Sequence, residues 1–183
     1  MKYEALLFLV DGFEEIEAIA PLDILRRGGV SIASVSLMGK LDVMGSRNIK
    51  IQADMLFEEI ETTSGMMLIL PGGPGTASYK KHDSLLEMLK NHNAKGDHLA
   101  AICAAPTILG MLDLLRNKSA VCHPSKEDEL KAAQLLKEDV FTDGNITTSR
   151  AAGTSVAFGL HLLGLLKGDA VKQEVAKAIL FSS

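Results

Sequence analysis

Leu99-Ala100-Ala101-Ile102-Cys103-Ala104-Ala105-Pro106 is the stretch that decides how this chain is read. Its apolar start describes a strand covered on both faces. The small residues after Cys103 permit a tight strand-to-helix turn, the kind that exposes a nucleophile in α/β hydrolases. Pro106 suits the first turn of the following helix, where N–H groups lack helical partners anyway. A thiol there meets the positive end of the helix dipole and loose N–H donors. Its pKa is therefore expected to fall from about 8.5 into the range of about 3.5–7.5. Taken alone, the segment fits equally well a buried cysteine acting as a small hydrophobe.

Working outward, strand and helix signals alternate almost from end to end. Ala5 to Val10 is a short buried strand, and a helix from about Glu15 to Arg27 stops at Gly28-Gly29. Val30 to Leu37 reads as the next strand, Gly39 to Asp54 as a hairpin on the sheet edge, and Met66 to Leu70 as a further buried strand. A helix is expected over Ser84 to Ala94, and another from Cys103 to about Leu115. Ser119 to Cys122 reads as a strand and Ser125 to Leu136 as a charged helix with Ser125 as N-cap. Two short strands flank Asp143-Gly144-Asn145, and Gly153 to Leu166 and Asp169 to Leu180 are helical. The pattern predicts one α/β domain over residues 1–183, a mostly parallel sheet between helical layers. Ligands of such sheets bind beyond the carboxyl ends of the strands.

Three other strand-end segments carry candidate chemistry. Leu70-Pro71-Gly72-Gly73-Pro74-Gly75 lacks the features of a phosphate loop. It can aim an N–H at a developing oxyanion, or serve only as a turn needing positive φ. In Asp11-Gly12-Phe13-Glu14-Glu15-Ile16-Glu17, helical spacing from Glu17 lands on Ala20, Pro21 and Ile24. Glu17 thus heads an apolar stripe, and burial should raise its pKa; the plain alternative is an exposed first-turn acid. Glu14 and Glu15 read as first-turn acids favoured by the dipole. Val121-Cys122-His123-Pro124 closes another strand, and His123 is the histidine placed like a partner for a cysteine nucleophile. No histidine has metal-ligand spacing, so no metal is expected.

Bulk properties exclude several classes. The chain has 183 residues, 47% of them hydrophobic and 23% charged, with a net charge of −4. That is the make-up of an ordinary globular protein, with no electrostatic footprint for nucleic acid. The N-terminal apolar run is too short for a signal peptide, and no run approaches the ~18 residues of a membrane span. The two cysteines lack C-x-x-C spacing. A cytoplasmic home is expected.

Together these residues resemble the ThiJ/PfpI superfamily, close to its parkinsonism-associated deglycase branch. The resemblance runs over Glu14-Glu15-Ile16-Glu17, Pro21-Leu22-Asp23, Arg26-Arg27, Ser46-Arg47, Leu70-Pro71-Gly72-Gly73, Ala101 to Thr107, His123-Pro124 and Thr148-Ser149-Arg150. It implies a flavodoxin-like three-layer sandwich, related to class I glutamine amidotransferases and assembled as a homodimer. It implies Cys103 as nucleophile, a protonated Glu17 hydrogen-bonded to its sulfur, and His123 as the nearby imidazole. The N–H groups of Gly73 and Ala104 would form the oxyanion site, and Arg27 and Arg47 could bind an anion. No cofactor is implied. The chain departs from the pattern at Ala151-Ala152-Gly153, where that branch commonly has Gly-Pro-Gly, and at Gln52, where some members carry a peripheral cysteine.

The resemblance makes a cysteine-dependent enzyme acting on reactive α-oxoaldehydes, or on the glycated proteins they form, the leading expectation. An oxidation sensor or chaperone built on an oxidisable Cys103 is the alternative. Peptidase or amidase activity ranks below both, because it needs an acid behind the histidine. Asp23 is available, but an ion pair with Arg27 one turn on suits it better. Cys122 would lie near the pocket if the strand ends converge, as a redox partner for Cys103; period-two alternation opposes this by sending Cys122 and His123 to opposite faces.

Overall fold

Ala5, Leu7 and Leu9 enter one hydrophobic core and Leu6, Phe8 and Val10 another, as the two-residue period of a strand requires. A run apolar at every position is therefore what a central strand between two helical layers needs. The computed structural model describes residues 3–61, 64–132 and 134–182. In chain order, β1 (Ala5–Leu9) leads through α1 (Glu15–Arg27) to β2 (Ile32–Ser36), a hairpin of β3 (Asp42–Met44) and β4 (Lys50–Gln52), and β5 (Met55–Leu56). Next come β6 (Met67–Leu70), α2 (Thr76–Tyr79), α3 (Asp83–Ala94), β7 (Leu99–Ile102) and α4 (Pro106–Met111). The remainder is β8 (Ser119–Ala120), β9 (Gln134–Leu135), β10 (Val140–Asp143), β11 (Ile146–Ser149), α5 (Ser155–Lys167) and α6 (Asp169–Ala178).

The main sheet runs β10-β11-β7-β6-β1-β2-β5. Every neighbouring pair is parallel except the β10–β11 hairpin at one edge. Ala18, Leu22 and Leu25 of α1 pack with Phe158 and Leu162 of α5 on one face. Leu85 and Leu89 of α3 and Ile108 and Leu109 of α4 cover the other. This is a flavodoxin-like α/β sandwich. The chain leaves β1 toward β2 on one side and resumes at β6 on the other, so the carboxyl ends of β1 and β6 flank a topological switch point.

Three local expectations are corrected. The Gly39–Asp54 segment does form a hairpin, but β3 and β4 make a separate two-stranded sheet, and Met55–Leu56 takes the sheet edge instead. The helix after Cys103 ends at Met111 rather than Leu115. Asp113 at φ 63° donates to Gly110 and Leu114 donates to Leu109, a Schellman closure built on a residue other than glycine. Ser125–Leu136 is not a helix. It is a 3-10 turn over Pro124–Glu129 followed by β9, which pairs with β8; residue 133 lies outside the described residues. Within Pro124–Leu130 only Leu130 is buried, so there is no apolar stripe to hold a longer helix down. His123, not Ser125, is the N-cap, its Nδ1 accepting the Ser125 N–H.

Candidate active site

Strand β7 delivers Cys103 to the carboxyl edge of the sheet in a left-handed conformation, φ 66°, that a residue with a side chain seldom adopts. Its neighbours hold it there. The Cys103 N–H donates to the Ser149 carbonyl at 2.9 Å, continuing the β7–β11 ladder, while the Cys103 carbonyl accepts the His123 N–H at 2.8 Å. Ala105 then donates back to Ile102, and the Thr107 hydroxyl to the Ala104 carbonyl, which closes the turn into α4. Local strain of this kind persists where surrounding bonds over-determine the backbone.

The loops after β1 and β6 lock together beside it. Glu14 N–H donates to Gly72 and Gly75 N–H to Gly12. A side chain at Gly72 would collide with the Glu17 carboxylate, the Cys103 Cβ and the Ile102 carbonyl, so only glycine admits this approach. Gly73 sits at φ 99° and turns its N–H toward the Cys103 sulfur. Glu14 caps α1 by accepting the Glu17 N–H at 2.8 Å. That cap starts the helix so that Glu17, 1% exposed, faces inward. Its carboxylate accepts the Gly72 N–H at 3.0 Å and faces the Cys103 thiol across the space a side chain at Gly72 would fill.

Electrostatics at this contact reverse one expectation. Burial pushes the Glu17 carboxyl up to about 7, aided by the negative charge of Glu14. Cys103 is not a depressed thiol: burial and the adjacent Glu17 charge push it up to about 12, against the opposing N–H groups of Gly73 and Ala104. Two acids in contact share protons, so above about pH 7 the pair holds one proton between carboxylate and sulfur. The donors of Gly73 and Ala104 face the sulfur, where negative charge forms when that proton stays on Glu17.

The other sequence-nominated polar side chains have partners of their own. His123 joins the site through its main chain, while its Nδ1 is engaged by the Ser125 hydroxyl at 2.8 Å. Arg27 pairs with Asp23 at 2.6 Å and lines a separate cavity of about 490 Å³ with Ile24, Val156, Ile179 and Phe181. Arg47 gives its main-chain N–H to Glu15 and turns its guanidinium toward the Ser46 carbonyl. Cys122 belongs to the core on the opposite face of the sheet from the one against which Cys103 packs, and its Sγ lies against the His123 carbonyl. The structure does not bring the two sulfurs together. Among the described residues no group of three or more His, Cys, Asp or Glu could hold a metal ion, and no helix is long and apolar enough to cross a membrane.

Glu15 is the residue that sequence reasoning passed over. It is buried, and its carboxylate takes the Arg47 N–H and the Ser46 hydroxyl, pinning the β3–β4 loop against α1. The Glu14-to-Glu17 spacing was a usable cap signal. Nothing local distinguishes Glu15 from a solvated acid.

Residues 3–165 match the model of the DJ-1/PfpI family. The chain belongs to the DJ-1/PfpI family. Among relatives, Drosophila melanogaster dj-1beta is 35% identical over 98% of both chains. The glutathione-independent glyoxalase DJR-1.2 of Caenorhabditis elegans is 26% identical over 97% of this chain and 96% of that one. Arabidopsis thaliana DJ-1 homolog B is 34% identical, and the chain spans only 41% of its length. The crystal structure of the Drosophila DJ-1beta superposes with a TM-score of 0.92 at 32% identity, covering 100% of both chains. In this DJ-1/PfpI member, the elbow and the glycine loop both fall inside the matched region.

Proposed function

We propose that the chain is a cysteine-dependent enzyme acting on α-oxoaldehydes such as methylglyoxal, converting them to 2-hydroxy acids without glutathione or a cofactor. The observation that carries this reading is the contact between Cys103 and Glu17 beneath the Gly73 and Ala104 N–H groups. Its glyoxalase relative from C. elegans supports the substrate class.

In this reading the Cys103 sulfur adds to the aldehyde carbon, and its proton passes by way of Glu17 to the new oxygen, giving a hemithioacetal. Glu17, again ionised, removes the hydrogen left on that carbon, and the resulting enediol is reprotonated at the neighbouring carbon. The product is a 2-hydroxyacyl thioester. Water cleaves it, releasing the acid and restoring the thiol. One carbon is oxidised and its neighbour reduced, so no external redox partner is required. A base with a pKa near the working pH suits both proton transfers, and the Gly73 and Ala104 donors would favour the oxyanions on either side of them. Glu17 takes the shuttle role because it touches the sulfur, whereas His123 supports the elbow through its main chain.

The test is lactate formation from methylglyoxal in glutathione-free buffer. Cys103→Ala should abolish it while leaving the circular dichroism spectrum intact. An unaffected variant would defeat the proposal.

A further inference from the structure

Pro71 leaves a gap in the ladder between β1 and β6. Pairing there runs Leu6 against Leu68, and the Met67 N–H donates to the Glu4 carbonyl at 2.9 Å. Bonds of this kind recur at every second residue of a strand. Two such steps on, the Phe8 carbonyl would take the N–H of residue 71, and proline has none. Buried carbonyls are seldom left without a donor. The Tyr79 hydroxyl supplies it, donating to the Phe8 carbonyl at 2.9 Å and reaching the Pro71 carbonyl at 3.2 Å. Tyr79 is fully buried at the end of α2, a single turn that the Thr76 hydroxyl fastens back to the Gly73 carbonyl at 2.7 Å. Burial keeps its phenol protonated, so the group that meets the two carbonyls is a donor.

The Pro71 carbonyl and the Gly72 N–H belong to one planar peptide unit and point in opposite directions from it. Tyr79 holds the carbonyl end, and Glu17 accepts the N–H end at 3.0 Å. The next unit is held in the same manner: the Gly72 carbonyl accepts the Glu14 N–H at 2.9 Å, and the Gly73 N–H faces the sulfur. Rotation of the Pro71–Gly72 unit would turn a carbonyl toward the Glu17 carboxylate, and glycine has no side chain to resist it. We propose that Tyr79 is a positioning residue: its hydroxyl fixes the Pro71–Gly72 peptide so that the Gly72 N–H stays on Glu17 and supports the carboxylate as the base of the site. This deepens the reading of Glu17 as the proton shuttle and rests on it, although the clamp itself is observable without turnover.

Polarisation adds to orientation, since a donor on the carbonyl strengthens the N–H of the same peptide. A carboxylate that loses such a hydrogen bond binds its proton more tightly. Among the described residues, the titratable groups facing Glu17 are Cys103 from the elbow, Glu14 from the cap of α1 and Tyr79 from α2. Tyr79 is the neutral one of these over the whole working range, so removing its hydroxyl changes no charge around Glu17. A shifted Glu17 titration then reports the hydrogen bonds.

Tyr79→Phe removes the hydroxyl and keeps the ring. In ¹⁵N-labelled protein the Gly72 amide proton is followed from pH 5 to 9. In the parent it should titrate with the Glu17 midpoint, about 7, and it should lie flat in Glu17→Gln. In Tyr79→Phe the midpoint should rise by about half a pH unit or more, and the pH at which lactate formation reaches half its maximum should rise with it. Leu85→Ala, which loosens the same core cluster but leaves the hydroxyl in place, should keep the parent midpoint. A Tyr79→Phe midpoint equal to the parent's, or an equal rise in Leu85→Ala, overturns the role of Tyr79. A Gly72 amide that is flat in the parent overturns it together with the poised Glu17. A parent that makes no lactate but shows the midpoints as described loses the α-oxoaldehyde chemistry and keeps the clamp. If Tyr79→Phe does not fold, the ¹³C carbonyl shift of Pro71 in the parent decides: it should move with the Gly72 amide, and a flat signal overturns the clamp.

Discussion

Glu17 is useful to the site because it is uncomfortable in the fold. Its carboxyl binds a proton near pH 7 when folded and at the ordinary value of 4.5 when exposed. Between those values the native state holds the extra proton, so stability is highest at the acid end of the window and is lost as pH rises through 7. Glu17→Gln keeps the shape and the acceptor for the Gly72 N–H but cannot ionise. Chemical denaturation at pH 8 should show the variant more stable by on the order of 2 kcal/mol, with the gain falling to about a quarter of that at pH 5 and vanishing below pH 4.5. Lactate formation should fall by at least about 100-fold. An equal gain at both pH values would remove protonation as its cause. Glu17 was legible because an apolar stripe follows it at helical spacing. The direction of the Cys103 shift was not. The chain shows a thiol where a helix begins, but not that an anion 86 positions earlier in sequence is folded against it.

Elements with a two-residue or 3.6-residue apolar pattern were readable to within a residue or two: Ala5–Leu9, Glu15–Arg27 and Leu99–Ile102 each bury the faces their patterns announce. Where only one side chain per turn reaches the core, as around Leu130, charge runs suggested a helix that tertiary packing does not support. Polar ties between elements were illegible, because each of their residues is unremarkable locally. The His98 Nε2 bonds Thr147, Thr147 bonds Thr142, and Thr142 bonds the His161 Nε2, at 2.8, 2.7 and 2.7 Å, linking the residue before β7 to β11, β10 and α5. Burial, reinforced by His161 and His92, holds the His98 imidazole down to about 4, against an ordinary 6.5. The stability this contributes is complete above pH 6.5 and lost as pH falls toward 4. In His98→Leu, Thr147 keeps Thr142 as a partner, and the drop in Tm between pH 7 and pH 5 should shrink relative to the parent. An undiminished drop would clear His98 of any part in acid sensitivity.

At the scale of the whole molecule, several large apolar side chains of the described residues stay exposed, and some of them adjoin the site. Ile16 is 53% exposed and Ile19 41%, on the outer side of the helix that carries Glu17 inward. Leu41, Met44 and Ile49 are exposed on the β3–β4 hairpin, which Ser46 N–H to Phe13 and Arg47 N–H to Glu15 bind to the start of the same helix. Apolar exposure on two elements tied together in this way is what an association surface requires. A second copy of the chain is the partner proposed, since an isologous contact lets one patch cover itself. Ile16→Glu should convert the species seen by light scattering from twice the chain mass to once. It should also slow lactate formation, because Ile16 lies between Glu15, which pins the hairpin, and Glu17, which touches the sulfur. A parent already monomeric at micromolar concentration would remove the dimer, and a monomeric but fully active variant would show that α1 holds Glu17 in place unaided.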